Sequence, residues 1–473
     1  MRDGNSPLVP PQGTVTPSPR NYGRYSLEPV EVPRIETRFR KIVTPLPVPE
    51  SLPVLAKLLQ YEPPSMAGQP PLLWDHAEGA SVFDPYGNRW IDWSSCVLVA
   101  NVGHSHPRVV EALRRLLDRG QLSTYVFPHR ERALLVERLA RLAPPGLDRV
   151  FLLTTGSEAV ENVIKIMRTW GLKRSPTRRT IVSFSGGFHG RTLGSQLAGG
   201  IPALKSWIGT EDPSFVQVDF PDGYYQPDVS FDRFEATLAR RGVRPEDVAG
   251  VVSESYLGIG PDFFPAEYAQ ALRAWCNRHG ALLAFDEVQS GFGRTGRLFA
   301  FEHYGVVPDL IACGKGITSS LPLAAVIGRG EIVSTYGPGS MTSTHSGSPL
   351  PVAAALASLD ALVEEGLVSR AASLEEVLRG GILPLGRRYP QVGWVGVRGM
   401  VGGLRIVRPG TREPDPELAH RLNETCFRKG LLMFAPVGLG GGCLKIAPPL
   451  SIPVEALEEG ISVLNESFRE VLP

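Results

Sequence analysis

Apolar and polar positions follow two rhythms along this chain. From Leu72 to Trp93 the run LLWDHAEGASVFDPYGNRWIDW alternates with period two around a Pro-Tyr-Gly-Asn turn, which predicts a β-hairpin or meander. Between about residues 105 and 345 the rhythm changes to short apolar runs separated by amphipathic stretches. Helices are predicted at Pro107 to Leu117, Arg130 to Leu142, Glu158 to Trp170 and Pro265 to His279. Buried strands are predicted at Arg149 to Leu153, Thr180 to Phe184, Ala249 to Ser253, Ala281 to Phe285 and Asp309 to Cys313. Alternation of this kind argues for an α/β fold, a mostly parallel sheet flanked by helices on both faces.

After about residue 350 the texture shifts again. A helix (Pro351 to Glu365), strand alternation over Val392 to Val407, a helix near Glu417 to Lys429 and strands at Leu431 to Phe434 and Cys443 to Ile446 describe a smaller α+β domain, which takes in the 72 to 93 sheet. Residues 1–50 are rich in Pro, Ser and Arg and read as an arm of extended backbone. The expected division is the arm at 1–50, the first part of the small domain at 51–104, a large domain at 105–349 and the rest of the small domain at 350–473.

Composition narrows the function. Lys plus Arg number 49 against 48 Asp plus Glu, so the chain has no basic surplus for a phosphate polymer. Five scattered cysteines without a CxxC pair suggest neither a disulfide framework nor a zinc knuckle and fit a cytoplasmic protein. The N-terminus has no signal-peptide core, and no run reaches the roughly 18 apolar residues of a membrane span. Glycine (51) and proline (43) are in excess with no repeat to absorb them, so the glycines ask for a local explanation.

In a parallel sheet, ligands gather beyond the carboxyl ends of the strands. Here those positions are rich in chemistry. Thr155, Gly156 and Ser157 follow a strand and open a helix, where free N–H groups suit a phosphate, although an ordinary serine N-cap explains the same residues. Asp286 ends a buried strand and needs a cationic or N–H partner, such as a pyridinium nitrogen. Lys315 lies between two glycines after another buried strand, either as a surface residue or as a desolvated amine for a Schiff base. Gly291 to Gly296 satisfies G-x-G-x-x-G but follows Asp-Glu-Val-Gln and opens no clear helix, so a dinucleotide site is rejected. His104 and His106, two apart beside a proline, read as a structural turn rather than metal ligands.

Taken in order, TTGSEAVE (154–161), GGFHGRT (186–192), Glu254, FDEVQSGFGRTG (285–296), CGKGITSSLPL (313–323) and STHSGSP (343–349) resemble the class III, or ω-amino acid type, pyridoxal-phosphate aminotransferases of fold type I. GNRWIDW and KIAPPL extend the match, which covers roughly residues 50 to 465. The resemblance implies pyridoxal 5'-phosphate as cofactor, with Lys315 forming the Schiff base and shuttling a proton and Asp286 pairing with the ring nitrogen. It places Val288 and Phe188 on the ring faces, Gln289 near the phenolic oxygen, and Gly156 and Ser157, with Thr155, around the phosphate. Glu254 orders its neighbours by hydrogen bonds, and His189 is either its partner or a structural histidine. Thr344 would reach the phosphate of a neighbouring subunit, which implies a homodimer with a shared active site.

The implied reaction moves an amino group from an amine or amino acid to a 2-oxo acid by a ping-pong route through pyridoxamine phosphate. An amino acid racemase or epimerase, or a decarboxylase, on the same scaffold is the alternative. Two departures bear on the substrate: Lys445 stands where many members carry a carboxylate-clamping arginine, and Ile259 stands where they carry a glutamate switch. Val97, Tyr125, Phe127 and Ile259 are the candidate pocket residues, which suggests a substrate with an apolar portion, and Lys445 the candidate carboxylate partner.

Overall fold

The computed structural model describes residues 21–472. Seven strands form the central sheet: β1 (Arg149–Leu153), β2 (Thr180–Phe184), β3 (Phe215–Val218), β4 (Val248–Glu254), β5 (Leu282–Glu287), β6 (Leu310–Cys313) and β7 (Ala324–Gly328). They lie in the order β3-β2-β4-β5-β6-β7-β1. Every pairing from β3 to β6 is parallel, and β7 runs antiparallel to both of its neighbours. The strands β2, β4, β5, β6 and β7 are buried along their whole length, because helices cover both faces. One apolar layer packs the helix Gly156–Leu172 through Val160, Val163 and Met167 against Ala249, Ala284 and Ala312. The opposite face joins the main core through Val251, Leu283, Phe285 and Ile311.

The expectation of a mostly parallel α/β sheet holds. The strands β3 and β7 were not anticipated; β7 is the apolar run Ala324–Gly328, which closes the sheet by pairing β6 to β1. The smaller part has two sheets. One is the antiparallel meander Val392–Arg398, Val401–Ile406 and Cys443–Ile446. The other contains His76–Glu78, Ser81–Phe83 and Arg89–Asp92 and is joined by Leu431–Leu432, so both ends of the chain build it.

Of the proposed arm, residues 1–20 lie outside the described residues. From residue 21 on the arm is woven into the second sheet, with Ile35–Glu36 and Lys41–Ile42 pairing at its edge. Ile42, Leu46 and Val48 are buried against Trp90 and Phe427. Tyr25 donates a hydrogen bond of 2.7 Å to Asn423 Oδ1, and Arg40 pairs with Glu459. Apolar residues spaced among prolines carry no helical or strand period, yet they are enough to bury an extended segment against an existing sheet. Among the described residues no helix is long and apolar enough to cross a membrane.

Candidate active site

The carboxyl ends of β1, β2, β4, β5 and β6 converge on one cleft of about 340 Å³, lined by Thr155, Gly156, Ser157, Phe188, His189, Glu254, Asp286, Val288, Gln289 and Lys315. At its β1 end a capping box opens the long helix: Thr155 Oγ1 accepts from Glu158 N at 3.2 Å, and Glu158 Oε2 accepts from Thr155 N at 2.8 Å. The cap is therefore Thr155, and the serine N-cap weighed from sequence does not occur. Gly156 and Ser157 are the first helical residues, so their N–H groups have no acceptor within the helix. A Cβ on Gly156 would lie 2.6 Å from Val288 Cγ1, and one on Gly190 would lie 2.2 Å from Ser157 Oγ. Both glycines exist because the β2 and β5 loops press against this helix end.

Asp286 is 4% exposed at the end of β5. Its Oδ1 accepts from Val288 N at 3.0 Å and its Oδ2 pairs with His189 Nδ1 at 2.8 Å. Burial alone would lower the His189 pKa, but the hydrogen bond and charge of Asp286, with the charge of Glu254, raise it. Nε2 of His189 has no protein partner among the described residues. Glu254 Oε2 accepts from Phe188 N at 2.9 Å and its Oε1 accepts from Gly258 N at 3.0 Å. Burial pushes its carboxyl upward, with His189 opposing and Asp286 adding to the shift. One carboxylate thus fixes the β2 loop and the β4 loop together.

Lys315 follows β6 with φ of +39°, a left-handed backbone that side chains rarely adopt. Gly316 beside it would place a Cβ 2.3 Å from Asn101 Nδ2, so the chain turns sharply against Asn101 and aims the lysine into the cleft. Burial lowers the Lys315 pKa, and the charges of Asp286 and Glu254 partly restore it. A less basic amine is more often available unprotonated as a nucleophile.

These residues fit pyridoxal 5'-phosphate: free helix amides and a hydroxyl for a phosphate, a buried carboxylate for a basic ring nitrogen, and an amine for an aldehyde. The sequence pattern described as Aminotransferase class-III matches residues 64–468. The chain belongs to the class III aminotransferases. It is 35% identical to the 4-aminobutyrate aminotransferase of Mycobacterium leprae over 90% of this chain and 97% of that protein. An isoleucine 2-epimerase of Lentilactobacillus buchneri is 34% identical over 85% of this chain and 90% of its own. The crystal structure of an (S)-enantioselective ω-transaminase from Thermomicrobium roseum superimposes with a TM-score of 0.78 at 31% identity, covering 89% of this chain and 95% of that one. The protein is a pyridoxal-phosphate-dependent aminotransferase of fold type I, with an amino donor and a 2-oxo acid as its small-molecule reactants, and the family does not favour the racemase alternative.

In this aminotransferase every residue that the sequence placed around the cofactor lines the cleft, except Thr344. Thr344 lies exposed in the loop before the helix Pro349–Glu364 and is not part of its own chain's cleft. The substrate set is not brought together. Val97, Tyr125 and Phe127 are exposed by 43%, 42% and 73% and do not line the cleft. Ile259 lines a separate cavity of about 700 Å³ together with Tyr225, Asp262 and Arg405. Lys445 is 1% exposed and its ammonium donates to Gly258 O and Gln289 Oε1. Val99 and Ser320 to Leu323 line the cleft and were not singled out from sequence. Being small or apolar, they carry no chemical signal; Ser320 to Leu323 fall within the CGKGITSSLPL motif, and no motif contains Val99.

The remaining motifs resolve as structure. His104 Nε2 pairs with buried Asp92 at 2.6 Å, and His106 Nδ1 accepts from Arg108 N at the start of the helix Pro107–Asp118. No group of three His, Cys, Asp or Glu side chains that could hold a metal occurs among the described residues. Gly291 to Gly296 forms a turn around Arg294, whose guanidinium is fully buried and donates to Met400 O, Pro448 O and Asn101 Oδ1.

Proposed function

We propose that this aminotransferase holds its cofactor with the phosphate on the Gly156 and Ser157 amides, the ring nitrogen on Asp286 and the aldehyde at Lys315. The observation that carries the reading is convergence: a helix N-terminus, a buried carboxylate held by a histidine and a buried lysine, each from a different strand end, face one cleft. Pyridoxal 5'-phosphate, when bound, supplies an aldehyde that condenses with amines and an electron-poor ring that weakens the bonds at the substrate's α-carbon. Asp286 would hold the ring nitrogen, and His189 fixes the Asp286 carboxyl in place through the 2.8 Å contact of its Nδ1. Val288 and Phe188, which both line the cleft, would hold the ring between them. Lys315 would hold the aldehyde, give it up to an incoming amine and serve as base and acid for the proton at the substrate's α-carbon.

Two further parts of the reading concern what surrounds the cleft. Val97, Tyr125 and Phe127 are each exposed, and Tyr125 Oη lies 3.0 Å from Thr342 Oγ1 in the loop that bears Thr344. A homodimer would cover these side chains, carry Thr344 to the partner's phosphate and build a substrate pocket with an apolar side from both copies. The five free cysteines, four of them buried, support a cytoplasmic location.

Borohydride reduction of the holoenzyme followed by peptide mapping tests the central assignment. The reduced cofactor is expected on the peptide bearing Lys315, and Lys315→Ala is expected to lose both the label and turnover. A label on another lysine, or full turnover by Lys315→Ala, would overturn it. A donor panel tests the apolar pocket, which predicts better turnover of amines with an apolar portion than of short diacids.

A further inference from the structure

Lys445 sits in the strand Cys443–Ile446, opposite Gly403 of the strand Val401–Ile406. Its ammonium has three N–H donors and no acceptor. One donor meets Gly258 O and another meets Gln289 Oε1, and the Tyr256 ring lies 5.4 Å from Nζ. The other end of the Gly258 residue is held as well, since Gly258 N donates to Glu254 Oε1 at 3.0 Å. A Cβ at Gly258 would fall 2.6 Å from Glu254 Oε1 and 2.9 Å from both polar atoms of the Gln289 amide. Glu254, Gly258, Gln289 and Lys445 therefore form one closed packing unit, of which Glu254 and Gln289 face the cofactor cleft and Lys445 does not.

The two ends of a glutamine amide have nearly the same shape, so its orientation is decided by its partners. An ammonium can only meet the oxygen. We propose that Lys445 is a positioning residue: by binding the side-chain oxygen of Gln289 it turns the amide so that its NH2, rather than its carbonyl, faces the cofactor. The inference rests on the reading that Gln289 lies beside the phenolic oxygen of the bound cofactor. That oxygen is electron-rich and is stabilised by a donor, whereas a flipped amide would set a carbonyl dipole against it. Lysine suits the task because its compact head fits between two oxygens in a buried space, where the planar fork of arginine would need a wider set of acceptors. Burial pushes the Lys445 amine down to about 7, with Glu254 and Cys443 pulling it up and Lys315 and Arg294 pushing it further down, so the orienting contact belongs to the protonated form of Nζ. Lys445 is thus committed to the protein's own oxygens and is not a free clamp for a substrate carboxylate.

The test is a double-mutant cycle read from the absorbance of the bound cofactor as pH is varied. Holoenzyme is compared with Lys445→Met, Gln289→Ala and the double variant. Loss of a donor at the phenolic oxygen makes the nearby nitrogen hold its proton more tightly, so each single variant is expected to raise the spectral pKa by roughly half a unit or more. The double variant is expected to match Gln289→Ala alone, because Lys445 acts through Gln289. Additive shifts, or no shift in Lys445→Met, would overturn the proposal.

A second readout covers the case in which Lys445→Met does not fold. In Lys445→Gln, turnover of 4-aminobutyrate and of butylamine is expected to fall by the same factor, since the residue serves the cofactor rather than a carboxylate. A loss confined to 4-aminobutyrate would show a substrate clamp and refute the positioning role. Wild-type protein that shows no cofactor absorbance would instead sink the cofactor reading itself.

Discussion

Replacement of Gly156 by alanine isolates one contact in the cleft. The backbone at Gly156 is helical, so alanine is tolerated conformationally and only the new methyl matters. That methyl would lie 2.6 Å from Val288 Cγ1 and 3.1 Å from Cγ2. Val288 has little freedom to yield, because it is β-branched and its N–H is tied to Asp286 Oδ1 at 3.0 Å. Without cofactor the valine side chain can move into the open cleft. With the ring packed on it that route is closed, and the strain falls on the bound state. Overpacking of this kind costs about 1–3 kcal/mol, which corresponds to roughly 5- to 150-fold weaker cofactor binding. Gly314→Ala is the graded control, since its methyl would sit 3.2 Å from the same Val288 atom. Its expected loss is under about 1 kcal/mol. Titration of apoenzyme with pyridoxal 5'-phosphate, followed by absorbance, measures both. A Gly156→Ala affinity within about twofold of wild type, or equal losses in the two variants, would refute the packing argument.

Two further predictions concern stability. Arg294→Lys removes the fork that ties Met400, Pro448 and Asn101 together, and a single ammonium cannot span them; urea unfolding should show a loss of about 3 kcal/mol or more, and a loss below about 1 kcal/mol would contradict the tie. Burial pushes the Asp262 carboxyl up to about 6 from 3.8, against the pull of Arg405 and with a push from Asp222. The native state then binds that proton more tightly than the unfolded chain, so the group's stabilising share is present at low pH and is lost as pH rises through its folded value. Asp262→Asn is expected to flatten the fall in unfolding free energy between roughly pH 4 and 6, and an unchanged slope would count against the raised carboxyl.

The cofactor end of this protein was legible in sequence because each group it needs is local. A strand end, one or two glycines and a chemical side chain lie within a few residues of one another at Thr155 to Ser157, at Asp286 to Gln289 and at Gly314 to Gly316. Periodicity then determined that the strands before them are buried and parallel, which places all three clusters on one edge of the sheet. What periodicity could not supply is any relation between segments far apart in the chain. Only the tertiary structure pairs His189 with Asp286, joins Phe188 to Gly258 through Glu254, and packs the extended residues 35–48 against Trp90 and Phe427. Lys445 shows the difference most sharply. Its position in KIAPPL suggested a partner for a substrate carboxylate, and no local pattern announced the two oxygens, Gly258 O and Gln289 Oε1, that the fold brings to its buried amine.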